Sequence, residues 1–204
     1  MSAQPKFERA WISIEDYLAD ELISEIKHQY LDGQVYAMSG ASLNHERIAG
    51  SLFAELRNFL RDKPCEAFGS NVKIKTDRHV FYPDAMVVCD QNYTSEYYTE
   101  APVLVVEVLS KSTRRLDETV KRRVYQSIPT LQEYVLIEQD IVDVEVCRRS
   151  EGWVSNHYFL GDDVPFESVG LNLSVADIYA RVDNEDMRTF IAEQAAAEVN
   201  ASHA

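Results

Sequence analysis

The spacing of apolar residues changes several times along this chain, and each change marks an element. Residues 14–18 and 22–26 predict two short helices. Two β-prone runs, 28–31 and 34–38, flank Asp32-Gly33, a pair suited to the positive φ angles of a tight hairpin. Beyond Ser39-Gly40-Ala41, Ser42 can cap a helix reaching about Arg61. Its Ile48, Ala49, Leu52, Leu56, Phe59 and Leu60 recur at helical spacing and define one buried face, and Pro64 marks its end.

Strand-like runs follow at 66–76, 80–89 and 103–109. Residues 115–127 predict a helix with Leu116, Val120 and Val124 as its apolar stripe. Strands are expected at 133–137, 142–148 and 152–160, a short helix at 173–181, and an exposed alanine-rich helix at 185–199. The chain has no internal repeat, low-complexity tract or Pro/Gly-rich linker. It therefore reads as one domain over 1–181 with a C-terminal helical tail, 182–204. The expected fold class is α/β: a central mixed sheet flanked by helices.

Within the run 103–109, Glu107 interrupts six valines and leucines that otherwise read as a central strand covered on both faces. An ionised carboxylate there is costly unless it is paired or metal-bound. Side-chain alternation puts it on the face of Val105 and Leu109. Asp84 presents the same problem within 80–89. Pro83 before it removes a ladder donor, which predicts a local break that lets Asp84 point out of the pleat. Two acids converging from adjacent strands suit Mg²⁺ or Mn²⁺ better than zinc. The competing expectation is that each acid makes its own buried salt bridge.

Composition bounds the partners. The 204 residues are 46% hydrophobic and 26% charged, which suits a folded core. The opening residues carry scattered charges and no apolar signal segment, and no stretch is apolar enough to span a membrane, so a soluble cytoplasmic protein is expected. Cys65, Cys89 and Cys147 lack metal-type spacing and are expected as reduced, mostly buried thiols. A net charge of −14 opposes sequence-blind binding to DNA. Six of the 20 basic residues nevertheless lie between Lys111 and Arg123, forming either a solvated helix face or a phosphate-facing patch. Ser70-x-x-Lys73 and Ser24-x-x-Lys27 both match a short nucleophile pattern, and both read as coincidence.

Tyr82-Pro-Asp84, Glu107-Val-Leu-Ser110-Lys-Ser-Thr113, and then Asp117, Lys121 and Tyr125 together resemble the Uma-type family of restriction-endonuclease-like proteins. That family belongs to the PD-(D/E)XK nuclease superfamily. The resemblance extends to Tyr30-Leu-Asp-Gly33, His45 and Glu133-Tyr134, covering most of residues 12–180. It implies a restriction-endonuclease-like core and metal-dependent phosphodiester hydrolysis of nucleic acid, with DNA favoured, and possible homodimers by analogy with the superfamily. It further implies Asp84, Glu107 and the Val108 carbonyl as metal ligands, and Lys121 as the catalytic lysine. The superfamily would place that lysine at the position of Leu109.

Asp117, Lys121 and Tyr125 share one helix face; a surface Asp117–Lys121 pair would contribute only a few tenths of a kcal/mol. Lys111 is the substitute lysine, and Lys111, Arg114, Arg115 and Arg122 are candidate phosphate contacts. His45 is expected on the core side of its helix, as a hydrogen-bonded core residue or as a general base beside the metal. Gln29 stands where the family pattern has Glu. The rival expectation is a non-catalytic nucleic-acid- or protein-binding module on a degenerate nuclease fold.

Overall fold

The computed structural model describes residues 11–90, 93 and 95–201, with side chains to 197. It opens with α1 (Ile14–Glu21), the hairpin β1 (His28–Leu31) and β2 (Gln34–Ala37), and the long helix α2 (Leu43–Leu60). Short strands follow: β3 (Glu66–Gly69), β4 (Lys73–Lys75), β5 (His79–Phe81), β6 (Ala85–Val88) and β7 (Tyr98–Thr99). The central strand β8 (Pro102–Leu109) leads into α3 (Arg114–Leu116), a π-helical turn (Asp117–Lys121) and α4 (Arg122–Ser127). Then come β9 (Glu133–Glu138), β10 (Val144–Arg148), β11 (Ser155–Tyr158), β12 (Asp163–Phe166), β13 (Leu171–Ser174), α5 (Val175–Ile178) and α6 (Glu185–Ala201).

A six-stranded sheet runs β11-β10-β9-β8-β6-β3, parallel between β8 and β9 and antiparallel elsewhere. A five-stranded sheet runs β2-β1-β5-β4-β7. The expected mixed sheet flanked by helices is thus present, divided between two large sheets and a small hairpin of β12 and β13.

The burial of β8 follows its alternation. Leu104, Val106 and Val108 pack in the core formed with Ile48, Leu52 and Leu56 of α2. Val105 and Leu109 belong to the opposite core, with Tyr125, Tyr134 and Leu136. Both faces are dry, as the aliphatic run requires. Ser42 caps α2 as its sequence indicates, its hydroxyl accepting from the His45 N–H at 3.1 Å. Asp32 and Gly33 take φ of 46° and 86°, the paired left-handed geometry of the expected turn.

The differences from expectation are physical. Each of the runs 66–76 and 80–89 is two strands, not one. β3 and β6 pair in the large sheet, whereas β4 and β5 pair in the small one. The chain bends at residues 70–72 and again at Tyr82-Pro-Asp84, so one long antiparallel pair passes from sheet to sheet. Residues 22–26 form no helix, and Ile23 is 84% exposed. The expected helix at 173–181 is helical only over α5, because Leu171–Ser174 pairs with Asp163–Phe166. The first turn of α6 is tied down: Asp186 accepts the Val142 N–H at 2.8 Å and Met187 is buried.

The cysteine expectation is corrected. Cys65 and Cys89 are joined as a disulfide, and only Cys147 is a buried free thiol. The register explains the pairing, since Glu66 faces Val88 and the next residues outward face each other too. Such a link over this loop contributes about 3 kcal/mol by constraining the unfolded chain. Thiol titration of the denatured, unreduced protein is expected to count one reactive cysteine per chain; three would contradict the pairing. No helix among the described residues is long and apolar enough to cross a membrane.

Candidate functional site

The break at Tyr82-Pro-Asp84 and the C-terminal end of β8 meet at the floor of a cleft of about 710 Å³. Ala85 is paired with Val106, so the next step of that antiparallel register sets Asp84 against Glu107. The Asp84 N–H still bonds the Val106 carbonyl, at 3.2 Å, while its side chain turns out of the pleat. Its Oδ2 accepts the Val108 N–H at 2.7 Å and lies 3.3 Å from Nε2 of His45. The sequence places both acids on adjacent strands, and here they line one cleft together with Val108, His45, Lys121 and Lys111.

Glu107 is 3% exposed. Lys121 Nζ and the Tyr125 hydroxyl both donate to its Oε1, each at 2.9 Å. Lys121 also lies 2.9 Å from Asp117 Oδ1, and Asp117 and Lys121 are themselves buried. The apolar stripe expected on this helix is only partly inward: Val124 packs against the core, but Val120 is exposed, and Asp117, Lys121 and Tyr125 are the buried residues. The buried polar residues have a cause in Glu107, an acid that accepts from Lys121 and Tyr125. A π turn at 117–121, a distortion often found where helices carry function, lies in this contact.

Charge in the cluster is unbalanced, with one ammonium against Glu107, Asp117 and Asp84. Burial pushes the Glu107 carboxyl up to about 8; Lys121 pulls it down, and the charges of Asp117 and Asp84 push it further up. Burial alone would lower the Lys121 ammonium, but Glu107 and Asp117 overcome that and raise it. Burial likewise lowers His45, yet its hydrogen bond to Asp84 and a bond to the Val108 backbone leave it raised overall. The ring thus lies between the Asp84 carboxylate and the Val108 backbone in the cleft. Among the described residues its other nitrogen, Nδ1, is buried without a hydrogen-bond partner.

Among the described residues no three His, Cys, Asp or Glu side chains are gathered to hold a metal. The donors on hand are two carboxylates and the Val108 carbonyl. A closed zinc site would need four protein ligands. Mg²⁺ or Mn²⁺, which retain several waters and take one or two carboxylates, fit this set. The described bonds to Glu107 all fall on Oε1 and those to Asp84 on Oδ2, leaving one further oxygen on each.

The contrast with Glu133 is instructive. That equally buried acid is neutralised by Arg148 at 3.1 Å and accepts the backbone N–H groups of Glu167 and Ser168, a closed structural cluster. Glu107 opens onto a cleft and has no arginine. Breaking its pair with Lys121→Met would leave two buried carboxylates unmatched, and a loss of about 3–5 kcal/mol is expected in urea unfolding.

Other candidates are placed elsewhere. Arg114 is ion-paired with Glu138 and Glu118, and Arg122 with Glu145. Arg115 is exposed. None of the three lines the cleft, so their basic segment is mainly a paired, solvated face. Gln29 sits in β1, and extending the β1–β5 register sets it against Phe81. Among the described residues its Oε1 is buried without a hydrogen-bond partner.

Sequence reasoning missed Gln139, whose Nε2 donates to the Leu109 carbonyl at 2.7 Å while its Oε1 accepts from Ser42. It pins the end of β8 to the start of α2 and so sets His45 over Asp84; nothing in its sequence context marks it. Lys27, Ser70 and Tyr82 also line the cleft, contributed by loops and bends that no local pattern joins.

Comparison with known proteins gives a consistent picture. The model of a family described as "Putative restriction endonuclease", Uma2, matches residues 14–176. Two uncharacterized proteins of Synechocystis are similar. One, slr1290, is 36% identical over 173 residues, covering 82% of this chain and 91% of its own length. The other, sll1609, is 34% identical over 139 residues, covering 66% and 78% respectively. A crystal structure from Anabaena variabilis, titled as a putative nuclease belonging to DUF820, superposes with a TM-score of 0.70 over 83% of this chain and 98% of its own. At 19% identity that likeness concerns the fold.

Proposed function

We propose a nuclease function from a premise the comparisons supply: the chain belongs to the Uma2 family. The protein would hydrolyse phosphodiester bonds of nucleic acid, DNA by preference, at the cleft over Asp84 and Glu107. The observation that carries the reading is the facing of these two acids across β6 and β8, with Lys121 on one and His45 on the other.

Asp84, Glu107 and the Val108 carbonyl would hold Mg²⁺ or Mn²⁺, which would supply Lewis-acid activation of water and charge neutralisation at phosphorus. The chain's own groups divide the remaining work. Val108 N–H fixes the rotamer of Asp84. Tyr125 and Lys121 fix Glu107, and Lys121 places a positive charge beside the reacting phosphate. His45 sits at hydrogen-bonding range of Asp84, positioned to take or return a proton at the cleft mouth. A homodimer through the exposed outer face of α6 belongs to the same proposal, and light scattering tests it.

Cleavage of DNA and RNA with added Mg²⁺ or Mn²⁺, compared between the native chain and its Asp84 and Glu107 variants, tests this function. Cleavage that persists in both variants overturns it. The degenerate-module reading draws on the close Lys121–Glu107 pair, which already occupies Oε1. Calorimetric titration with Mn²⁺ separates the two, because a degenerate site takes up no ion.

A further inference from the structure

One buried cation lies outside the chemistry assigned above. Lys73 of β4 is 5% exposed, and among the described residues its ammonium forms no ion pair. Its Nζ lies 5.2 Å from the centre of the Tyr82 ring and 5.8 Å from that of Tyr97. Lys27 approaches the same Tyr82 ring, at 5.4 Å, from the loop before β1. The Lys27 ammonium uses one donor on the Ser70 carbonyl, at 2.7 Å, which leaves two for another acceptor.

The nearest acid does not neutralise this pair. Glu21 is committed elsewhere, its Oε1 accepting from the Tyr82 hydroxyl at 2.9 Å and the His28 N–H at 2.8 Å, its Oε2 facing His28 Nδ1 at 3.0 Å. Burial lowers the Lys73 ammonium below its usual range, Glu21 opposing only in part. An unpaired ammonium in a dry place costs stability, and such costs are retained at functional positions.

Position gives the cost a use. Lys27, Ser70 and Tyr82 line the same cleft as Asp84 and Glu107, and Tyr82 is two residues from Asp84. The chain carries −14 overall and the cleft floor is acidic, so a polyanion entering it needs local positive charge on the wall. We propose that Lys27, backed by Lys73 through the Tyr82 ring, is a subsite for a backbone phosphate of the nucleic-acid strand flanking the one that is cut. Lys27 makes the contact. Lys73 supplies a charge that salt screens little, because it is buried. Tyr82, held by Glu21, lines the cleft with Lys27 and keeps Lys73 close behind through its ring. This inference rests on the nuclease reading for its ligand.

The test is binding rather than cleavage. A short end-labelled DNA duplex of mixed sequence is titrated with the full chain in EDTA, over a series of salt concentrations, by fluorescence anisotropy. Lys27→Met is expected to weaken binding several-fold and to flatten the log–log salt dependence by about 0.9, one phosphate contact. Lys73→Met is expected to weaken binding while raising Tm, since a thioether chain replaces an unpaired buried charge. Lys63→Met is the control: it lies beyond the far end of α2, about 27 Å from the Ser42 cap along an 18-residue helix. Its binding curve is expected to match the native one.

Native-like affinity and salt slope in Lys27→Met overturn the subsite while leaving the nuclease reading in place, provided the native chain binds and cuts. Lys73→Met that melts higher with unchanged binding removes Lys73 from it. A native chain that binds no DNA even at low salt overturns the subsite and the DNA preference together.

Discussion

Replacing Asp84 with Asn will abolish metal-dependent cleavage while leaving the chain folded. The carboxamide oxygen preserves the acceptor that the Val108 N–H requires, so the bend at Pro83 and the end of β8 keep their geometry. What is lost is the negative charge. In the wild type that charge is shared between the His45 ring and the cleft, and a hard cation would have only Glu107 and a backbone carbonyl left to hold it. Even groups one bond removed from a metal affect affinity or activity by about 10–100-fold. A direct ligand should therefore cost at least about a hundredfold in rate, with Mn²⁺ uptake undetectable by calorimetry. The Asn substitution separates charge from structure: an unchanged melting curve with full activity would remove Asp84 from the site.

Glu107→Gln is expected to abolish activity too, but to make the protein more stable at neutral and alkaline pH. The sign follows from the raised carboxyl. With its ordinary value at 4.5 and its folded value at about 8, the folded chain keeps a proton that the unfolded chain releases between those limits. Stability therefore falls as pH rises through that window and does not recover above it. Glutamine removes the titration and retains an oxygen acceptor for Lys121 and Tyr125, whose bonds fall on Oε1. The variant should melt higher than the native chain at pH 8, by about 2–4 °C for each kcal/mol recovered, and the difference should shrink towards pH 5. A variant that melts lower than the native chain at pH 8 would show that Glu107 is a structural anchor instead.

The second outcome would mark Glu107 as a residue kept at a cost to stability. The same logic explains which parts of the site could be read from the sequence. Asp84 and Glu107 stood out because each interrupts a run that should have been dry, and Lys121 stood out through the family resemblance. Periodicity found only part of the inner face on 115–127. It chose Leu116, Val120 and Val124 as the inner stripe, because hydrophobic patterning cannot know that the neighbouring strand carries a buried acid awaiting a polar partner.

The strands were legible in position but not in number. A bend within a β-prone run leaves the apolar alternation on both sides intact, and only Pro83 flagged one of the two. Cys65 and Cys89 looked unrelated because their proximity is created by antiparallel register, not by spacing along the chain. Gln139 and Lys27 lie in ordinary polar contexts and acquire their neighbours only when α2, β8 and the bend before β4 are assembled.

That shared pair of bent strands makes each acid's surroundings depend on two different layers. The register that sets Asp84 against Glu107 belongs to the six-stranded layer, whereas Lys73 and Phe81, whose ring centre lies 5.5 Å from that of Tyr125, belong to the other. A change at Phe81 in that second layer thereby reaches the Glu107 cluster, because Lys121 Nζ lies 5.7 Å from the centre of its ring. A chain built this way couples the pairing of its two acids to the packing of a layer that carries neither of them.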